Sequence, residues 1–278
     1  MLAAVLWLYR DVLRSLVHQW ASDDNYSHGF LILPIAIYCA WERRDLLRRI
    51  EPRPHAGGLA LVLLSLATFA MGALAAELFL MRLSLVGVIV GALVFVWGPS
   101  FLRALAFPLA LLPLMIPLPT IVFNQIALPL QLIASRVGET VIGAAGIPVL
   151  REGNILELPG MTLAVAEACS GIRSLLSLVT LAILLAYFLG TGLWGRLVVV
   201  ASAVPIAIMA NAARVAGTGL TAHWAGRPAA EGFFHGFSGW LLFVTAFAVL
   251  IGVQTFVNRG WMPRWHRTAL EERCSPAP

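Results

Sequence analysis

Long apolar segments recur along the chain and constrain its fold more than any other feature of the sequence. A helix needs roughly 20 apolar residues to cross about 30 Å of hydrocarbon. Hydrophobic residues occupy 60% of the 278 positions, whereas charged residues occupy 12%. Because an average soluble domain is about 25% charged, these values exclude a soluble globular domain, a disordered chain and a disulfide scaffold. They predict an all-α fold, that of a polytopic helical membrane protein.

The expected membrane spans follow the apolar segments. They lie at about residues 29–42, 57–76, 78–98, 101–118, 170–192, 197–222 and 237–257. Residues 1–20 are a weaker candidate, which either spans the membrane or lies in its interface as an amphipathic helix. Polar residues interrupt the apolar segment 120–147, and we expect it to be interfacial. Since no repeat or linker is evident, we expect one integral-membrane domain over residues 1–278 with about eight transmembrane helices.

Arginine placement predicts which side of the membrane each loop faces, because every basic residue in the sequence is an arginine. Cytoplasmic loops are enriched in basic residues. The arginine-rich loop 43–53 is therefore expected in the cytoplasm, and alternation places Arg103, Arg196 and the C-terminal tail on the same side. The loops expected outside are 21–28, 119–169 and 223–236.

The long external loop contains a strand-like pattern. Apolar and polar residues partly alternate over residues 149–165, on both sides of Pro159 and Gly160. This pattern predicts a short periplasmic hairpin. Its strand edges would be unpaired in lipid, so the hairpin must lie in water, in the interface or against protein.

Polar residues at the external helix ends are the candidates for function, because such groups are costly at membrane depth. The first cluster, Glu167, Cys169, Ser170 and Arg173, starts the span expected at 170–192. If a helix begins by Glu167, Cys169 and Arg173 stand at i and i+4 on one face. The helix terminus and the guanidinium would then both favour the thiolate, as a nucleophile requires. The alternative is that Cys169 is a small residue of the core.

Two further groups lie on the same expected side. Asn211 and Arg214 stand at i and i+3, and an arginine in an apolar segment should face a cavity or a partner helix.

His235 exchanges a proton near neutral pH, although an interfacial histidine is often only packed or solvated. A cysteine, a histidine and a cationic donor are the groups that thiol acyl transfer uses. His28 either supplies the base in place of His235 or orients the span 29–42.

Other chemistry finds little support in the sequence. Cysteines and histidines lack the spacing of metal ligands, so we expect no metal and no cofactor. We attribute Glu77 and Arg82, at a tight external turn, to topology. One non-enzymatic alternative is a membrane component of exopolysaccharide export or polymerisation. A transporter is the other, and it is disfavoured because the later spans are almost wholly apolar below their external ends.

Several segments resemble the exosortase/archaeosortase family of membrane transpeptidases and occur in the order of that family. They are YSHGFLILPI at 26–35, WERR at 41–44, EACSGIRSL at 167–175, NAARVAG at 211–217 and FFHGFSGW at 233–240. The histidine at position 235 is similar to the exosortase branch, since archaeosortases commonly have an arginine there.

The resemblance implies a role for each matching residue. Cys169 would be the nucleophile, Arg214 and His235 the arginine and histidine of the site, and Arg173 and Asn211 flanking motif positions. The implied activity is cleavage of exported proteins at a C-terminal sorting tail, made of a Pro-Glu-Pro motif, a hydrophobic helix and a basic end. The implied location is the bacterial inner membrane, with the site facing the periplasm. The expected partners are membrane-anchored substrates and the lipid bilayer, without nucleic acid.

Overall fold

The computed structural model describes residues 5, 7–159, 161–165, 171–188, 192–226 and 233–260, with the backbone alone at 161, 233–236 and 260. Its helices are α1 (Arg10–Ser22), α2 (Gly29–Glu42), α3 (Arg44–Arg49), α4 (Gly57–Leu74), α5 (Leu78–Trp97), α6 (Pro99–Ala104), α7 (Ala106–Leu111), α8 (Thr120–Ala144), α9 (Ile172–Phe188), α10 (Leu193–Ala225) and α11 (Phe233–Gly260). Short 3₁₀ helices cover Asp24–Tyr26 and Leu112–Met115.

Long apolar helices dominate the described part of the chain, as the sequence predicts. Within it, five helices are long and apolar enough to cross a membrane: α4, α5, α8, α10 and, in α11, Phe237–Arg259. The chain is therefore a multi-pass helical membrane protein. It groups into two compact units, Met1–Phe123 and Asn124–Pro278.

In the first unit, α4 and α5 pack closely because glycines face each other. A Cβ added to Gly58 would meet the backbone of Phe95 and would lie 2.6 Å from the Gly91 carbonyl oxygen. Small residues allow membrane helices to approach in this way, where dispersion contacts replace the hydrophobic effect. The two expected spans at 57–76 and 78–98 are thus a tightly packed pair.

Helix α1 is amphipathic and packs beside α5. Its buried face carries Val12, Leu16 and Trp20, whereas Arg10 and Arg14 are exposed. Its 13 residues extend about 20 Å, less than the thickness of a hydrocarbon core. That residues 1–20 cross the membrane stays a prediction.

The expected span at 101–118 is broken, as its prolines suggest. Two six-residue helices, α6 and α7, and a 3₁₀ turn replace one continuous helix. Pro99 begins α6, where its missing N–H costs nothing, whereas Pro113 stands in the 3₁₀ turn. Trp20 Nε1 donates to the Met115 carbonyl oxygen at 2.9 Å, which fastens the turn to α1.

The expectation that polar residues break the segment 120–147 is wrong, whereas its interfacial location stays a prediction. Residues Thr120–Ala144 form one helix of 25 residues, α8, that is apolar enough to span. Its polar residues Gln131, Ser135 and Glu139 stand at i, i+4 and i+8, so they form one stripe along the helix. The polar side chains of this stripe form hydrogen bonds with another element, and they do not interrupt the helix.

That element is a three-stranded antiparallel sheet of β1 (Leu150–Glu152), β2 (Ile155–Leu158) and β3 (Met161–Ala164). Strands β2 and β3 pair antiparallel, with Leu158 opposite Met161. The predicted hairpin is therefore present with one strand more. Its location on the periplasmic side stays a prediction.

The polar stripe of α8 holds the sheet through three contacts. Asn154 Nδ2 donates to Gln131 Oε1 at 3.0 Å, and Ser135 Oγ donates to the Gly153 carbonyl oxygen at 3.0 Å. Arg151 Nε donates to Glu139 Oε2 at 2.8 Å. The apolar side of β2, Leu156 and Leu158, is buried in a cluster that also contains Ile142 of α8 and Val215 of α10.

Helices α9, α10 and α11 share a second apolar core. Its buried members are Leu178, Ala182, Ala186, Val199, Ala203, Ala207, Ala246, Leu250 and Val257. Alanines on α10 let its neighbours approach closely. This three-helix packing fixes the positions from which the polar motifs project.

We predict that Gln131→Leu destabilises the protein although it makes α8 more apolar. Gln131 is 8% exposed, and its loss deprives the partly buried Asn154 amide of one of its two acceptors, which costs about 1 kcal/mol. Thermal unfolding in detergent measures the effect. Gln125→Leu, the same change at an exposed position of α8, is the matched control. Equal stability of the two variants would contradict the role given to the polar stripe.

Candidate functional site

The start of α9 differs from the sequence expectation. The helix begins at Ile172, and Gly171 precedes it with a φ of 75°, which is incompatible with an α-helix continuing towards Glu167. The Gly171 carbonyl oxygen accepts from Leu175 N at 2.8 Å. Helix α9 therefore does not begin by Glu167, and the predicted pairing of Cys169 with Arg173 involves a residue outside the described part of the chain.

Several predicted site residues lie outside the described residues. These are Glu167, Cys169 and Ser170. Arg173 is described and exposed. The motif around Cys169 therefore enters the described structure at Gly171, two positions after the cysteine.

Gly171 contacts the second motif. A Cβ on Gly171 would lie 2.7 Å from Cγ of Asn211 and 2.8 Å from its Cβ. Asn211 is only 6% exposed, so the backbone at Gly171 presses against a buried amide of α10. Glycine is required at position 171 for two reasons, the left-handed φ and the close approach of its backbone to Asn211.

The third motif reaches the second at Arg214. A Cβ on Gly239 would lie 3.1 Å from both Cζ and Nη2 of Arg214. The guanidinium therefore lies directly over the backbone of α11. His235 is four residues before Gly239 in the same helix, so the two positions share a helix face.

Gly239, Arg214 and Asn211 line one cleft between α9, α10 and α11, and Gly171 lies beside it against Asn211. Its polar lining residues are Ser174, Asn211 and Arg214, and the others include Leu178, Phe243 and Ala246. Arg214 is partly buried among them. A guanidinium in such an apolar setting keeps its charge and holds its donors in a fixed plane, which suits it to stabilise negative charge on a reacting group.

The sequence pattern predicted no role for two residues of this cleft, Ser174 and Gly239, or for Gly171 beside it. Ser174 stands four residues before Leu178 on α9, so both lie on the helix face that lines the cleft. The glycines carry no comparable signal, since their role is the absence of a side chain.

His28 lies in the first unit, just before α2. Its Nε2 donates to the Leu114 carbonyl oxygen at 3.3 Å. Burial lowers the pKa of His28, and hydrogen bonds to the backbone of Leu114 and Asn25 partly oppose this. The ring is therefore neutral at pH 7. Nearby, Tyr26 Oη accepts from Leu118 N at 3.2 Å, so the loop before α2 is fastened to residues 112–118.

We predict that Gly171→Ala destabilises the protein. An alanine there adopts left-handed φ at a cost of about 1–2 kcal/mol, and its Cβ would overlap Asn211. Gly217→Ala is the matched control, because a Cβ at Gly217 meets nothing within 4 Å. Thermal unfolding should show the loss only in Gly171→Ala, and an unchanged midpoint in that variant would contradict the contact with Asn211.

Comparison with known proteins gives one family. A family model described as transmembrane exosortase matches residues 20–252. No curated protein and no solved structure matches the chain. The match includes the three motifs whose described residues meet at the cleft, and it covers more than half of the sequence. The chain therefore belongs to the transmembrane exosortase family.

Proposed function

We propose that the protein is a cysteine-type membrane transpeptidase that cleaves the C-terminal sorting signal of exported proteins. Membership of the exosortase family supports a transpeptidase-type role in the membrane on proteins that carry sorting signals. The finer proposal is a tail with a Pro-Glu-Pro motif and a transmembrane helix, cleaved at the periplasmic face of the bacterial inner membrane.

One observation supports the site above all others. Gly171, two residues after Cys169, contacts Asn211, and Gly239, one helical turn after His235, contacts Arg214. Because Asn211 and Arg214 are neighbours on α10, the three motifs meet along one stretch of that helix. Thiol chemistry needs its cysteine, proton donor and oxyanion donor near hydrogen-bond distance, and this convergence favours such a constellation.

In the first half of the proposed reaction, the Cys169 thiolate attacks the scissile carbonyl carbon and forms a C–S bond. The carbonyl oxygen becomes an oxyanion, which Arg214 stabilises by charge and hydrogen bonds. The tetrahedral intermediate then breaks its C–N bond, and protonated His235 gives its proton to the leaving amine. A thioester remains on Cys169.

In the second half, an amine, a hydroxyl or water attacks the thioester carbonyl. His235, now neutral, takes the proton of the attacking group. The C–S bond breaks, and the thiolate of Cys169 is regenerated. Transpeptidation and hydrolysis therefore differ only in the acceptor.

The remaining candidates have supporting parts in this proposal. Asn211 and Ser174 line the cleft beside Arg214 and would position the substrate backbone. Glu167, Ser170 and Arg173 flank the nucleophile in sequence. His28 orients the start of α2 through its bond to Leu114, and His235 serves as the base. No metal or cofactor takes part in any step.

The family match also supports the proposed organisation of the chain. Because it runs from residue 20 to residue 252, it extends through both compact units. One integral-membrane domain over residues 1–278 accounts for this continuity. The substrate's own transmembrane helix would reach the site laterally through the bilayer.

We predict that Cys169→Ala abolishes processing of a co-expressed tailed substrate, because the thioester cannot form. Substrate size on a gel measures processing, and mass spectrometry of trapped enzyme tests for the thioester at residue 169. Cys39→Ala, at a buried cysteine of α2, is the control and should process normally. Processing by Cys169→Ala would refute the nucleophile and favour a non-catalytic component of polysaccharide export. His28→Gln should remain active, whereas His235→Gln should not.

We also predict that Gly239→Ala lowers activity through Arg214. The new methyl group would stand 3.1 Å from Cζ of Arg214 and so shift the guanidinium slightly. Because a displacement of about 1 Å costs on the order of 100-fold in rate, we expect a smaller loss, of about tenfold or less. Gly252→Ala is the control on the same helix, since a Cβ there meets nothing within 4 Å. Both variants should unfold at the wild-type temperature or above it. Equal processing rates would show that the position of Arg214 does not limit the reaction.

A further inference from the structure

Arg82 is a buried cation that the proposed reaction does not use. It is 3% exposed in the second turn of α5. Its Nη1 donates to Gln19 Oε1 at 2.7 Å, and its Nη2 donates to Ser15 Oγ at 2.9 Å. Both acceptors are neutral, so neither cancels the positive charge. The expectation that Arg82 serves only topology leaves this burial unexplained.

Arg82 makes no direct ion pair within the part of the chain that the structure describes. There, no carboxylate forms an ion pair with it within 4.0 Å, and its Nε has no hydrogen-bond partner. A buried charge is costly unless it is paired and hydrogen-bonded. The guanidinium therefore has one unsatisfied N–H group and no carboxylate in direct contact.

A cavity of about 210 Å³ adjoins Arg82. Two helices begin at its wall, α5 at Leu78 and α8 at Thr120. Each helix N-terminus contributes about half a positive charge and has unsatisfied N–H groups. Together with Arg82, they make the cavity a site for negative charge.

Glu77 also lines this cavity, and its carboxylate carries a negative charge. Its Oε1 accepts from Phe79 N at 3.1 Å, so the carboxylate caps α5. One carboxylate against Arg82 and two helix ends leaves a net positive charge of about one. The cavity is thus matched to a singly charged anion.

The surroundings of the cavity indicate where this anion comes from. Leu78, in the cavity wall, is 44% exposed, Ile121, beside Thr120, is 74% exposed, and Leu74 is 90% exposed. A chain that spans a membrane turns such residues towards acyl chains. A phospholipid combines a singly charged phosphodiester with acyl chains that fit these residues.

We propose that this cavity binds the phosphodiester head group of a membrane phospholipid. Arg82 supplies positive charge at the cavity wall, the first N–H groups of α8 donate to the phosphate oxygens, and the acyl chains lie against Leu78 and Ile121. Because Arg82 is bonded to α1 and the phosphate would reach α8, the lipid holds α1, α5 and the start of α8 together. This site is independent of the proposed reaction.

The test is lipid binding to the purified full chain, measured by native mass spectrometry after delipidation. The probes are phosphatidylglycerol, diacylglycerol with the same acyl chains, inorganic phosphate and a soluble acidic peptide. We expect phosphatidylglycerol to bind at least about tenfold more tightly than diacylglycerol, as a charged hydrogen bond implies. Equal binding of the two lipids would overturn the proposal, as would displacement of the phospholipid by inorganic phosphate or the peptide at equal concentration.

Two variants locate the site. Arg82→Gln removes the charge, and Thr120→Asp puts a carboxylate into the cavity while favouring the first turn of α8, so the second variant should fold even if the first does not. Both should weaken phosphatidylglycerol binding by at least about tenfold. Arg103→Gln, at an exposed arginine of α6, should bind as the wild type does. Wild-type binding by Thr120→Asp would refute the site.

Discussion

Polar groups inside a membrane protein must find partners within the protein, because hydrocarbon offers none. This constraint organises both units. In the second unit, the stripe of Gln131, Ser135 and Glu139 on α8 bonds the small sheet. In the first, Ser15 and Gln19 accept from a buried arginine. Helices α5 and α8 are long and apolar enough to cross a membrane. Their polar residues determine which other elements bond to them.

The same constraint explains what could be predicted from the sequence. The spans at 57–76 and 78–98 follow from hydropathy, and the hairpin follows from alternation around Pro159 and Gly160. Helix α8 was missed because its polar residues were interpreted as interruptions. Their spacing of four residues was a signal that they face one partner, but hydropathy does not identify that partner. The partner residues are 12 to 23 positions away in sequence, and they become visible only in the fold.

For the candidate site, the chemistry-bearing residues could be predicted, whereas the packing between them could not. Asn211 and Arg214 were singled out by their polarity in an apolar segment. Gly171 and Gly239 matter because they lack side chains: each brings a backbone against one of these two residues. A pattern of residue types indicates which side chains need partners. It does not show that Gly171 and Gly239, 68 positions apart in the printed sequence, supply the backbone surfaces against which Asn211 and Arg214 pack.

The sequence contains no lysine, and the cations at the cavity and at the cleft, Arg82 and Arg214, are both arginines. A buried lysine lowers its cost by losing a proton, whereas an arginine stays charged under all physiological conditions. Arg82 and Arg214 are therefore permanent charges. In the proposed reaction, Arg214 meets the oxyanion only transiently, so the cleft would stabilise the transition state more than the ground state. Arg82 shares its cavity with Glu77, and the proposed lipid phosphate would add a lasting negative charge there.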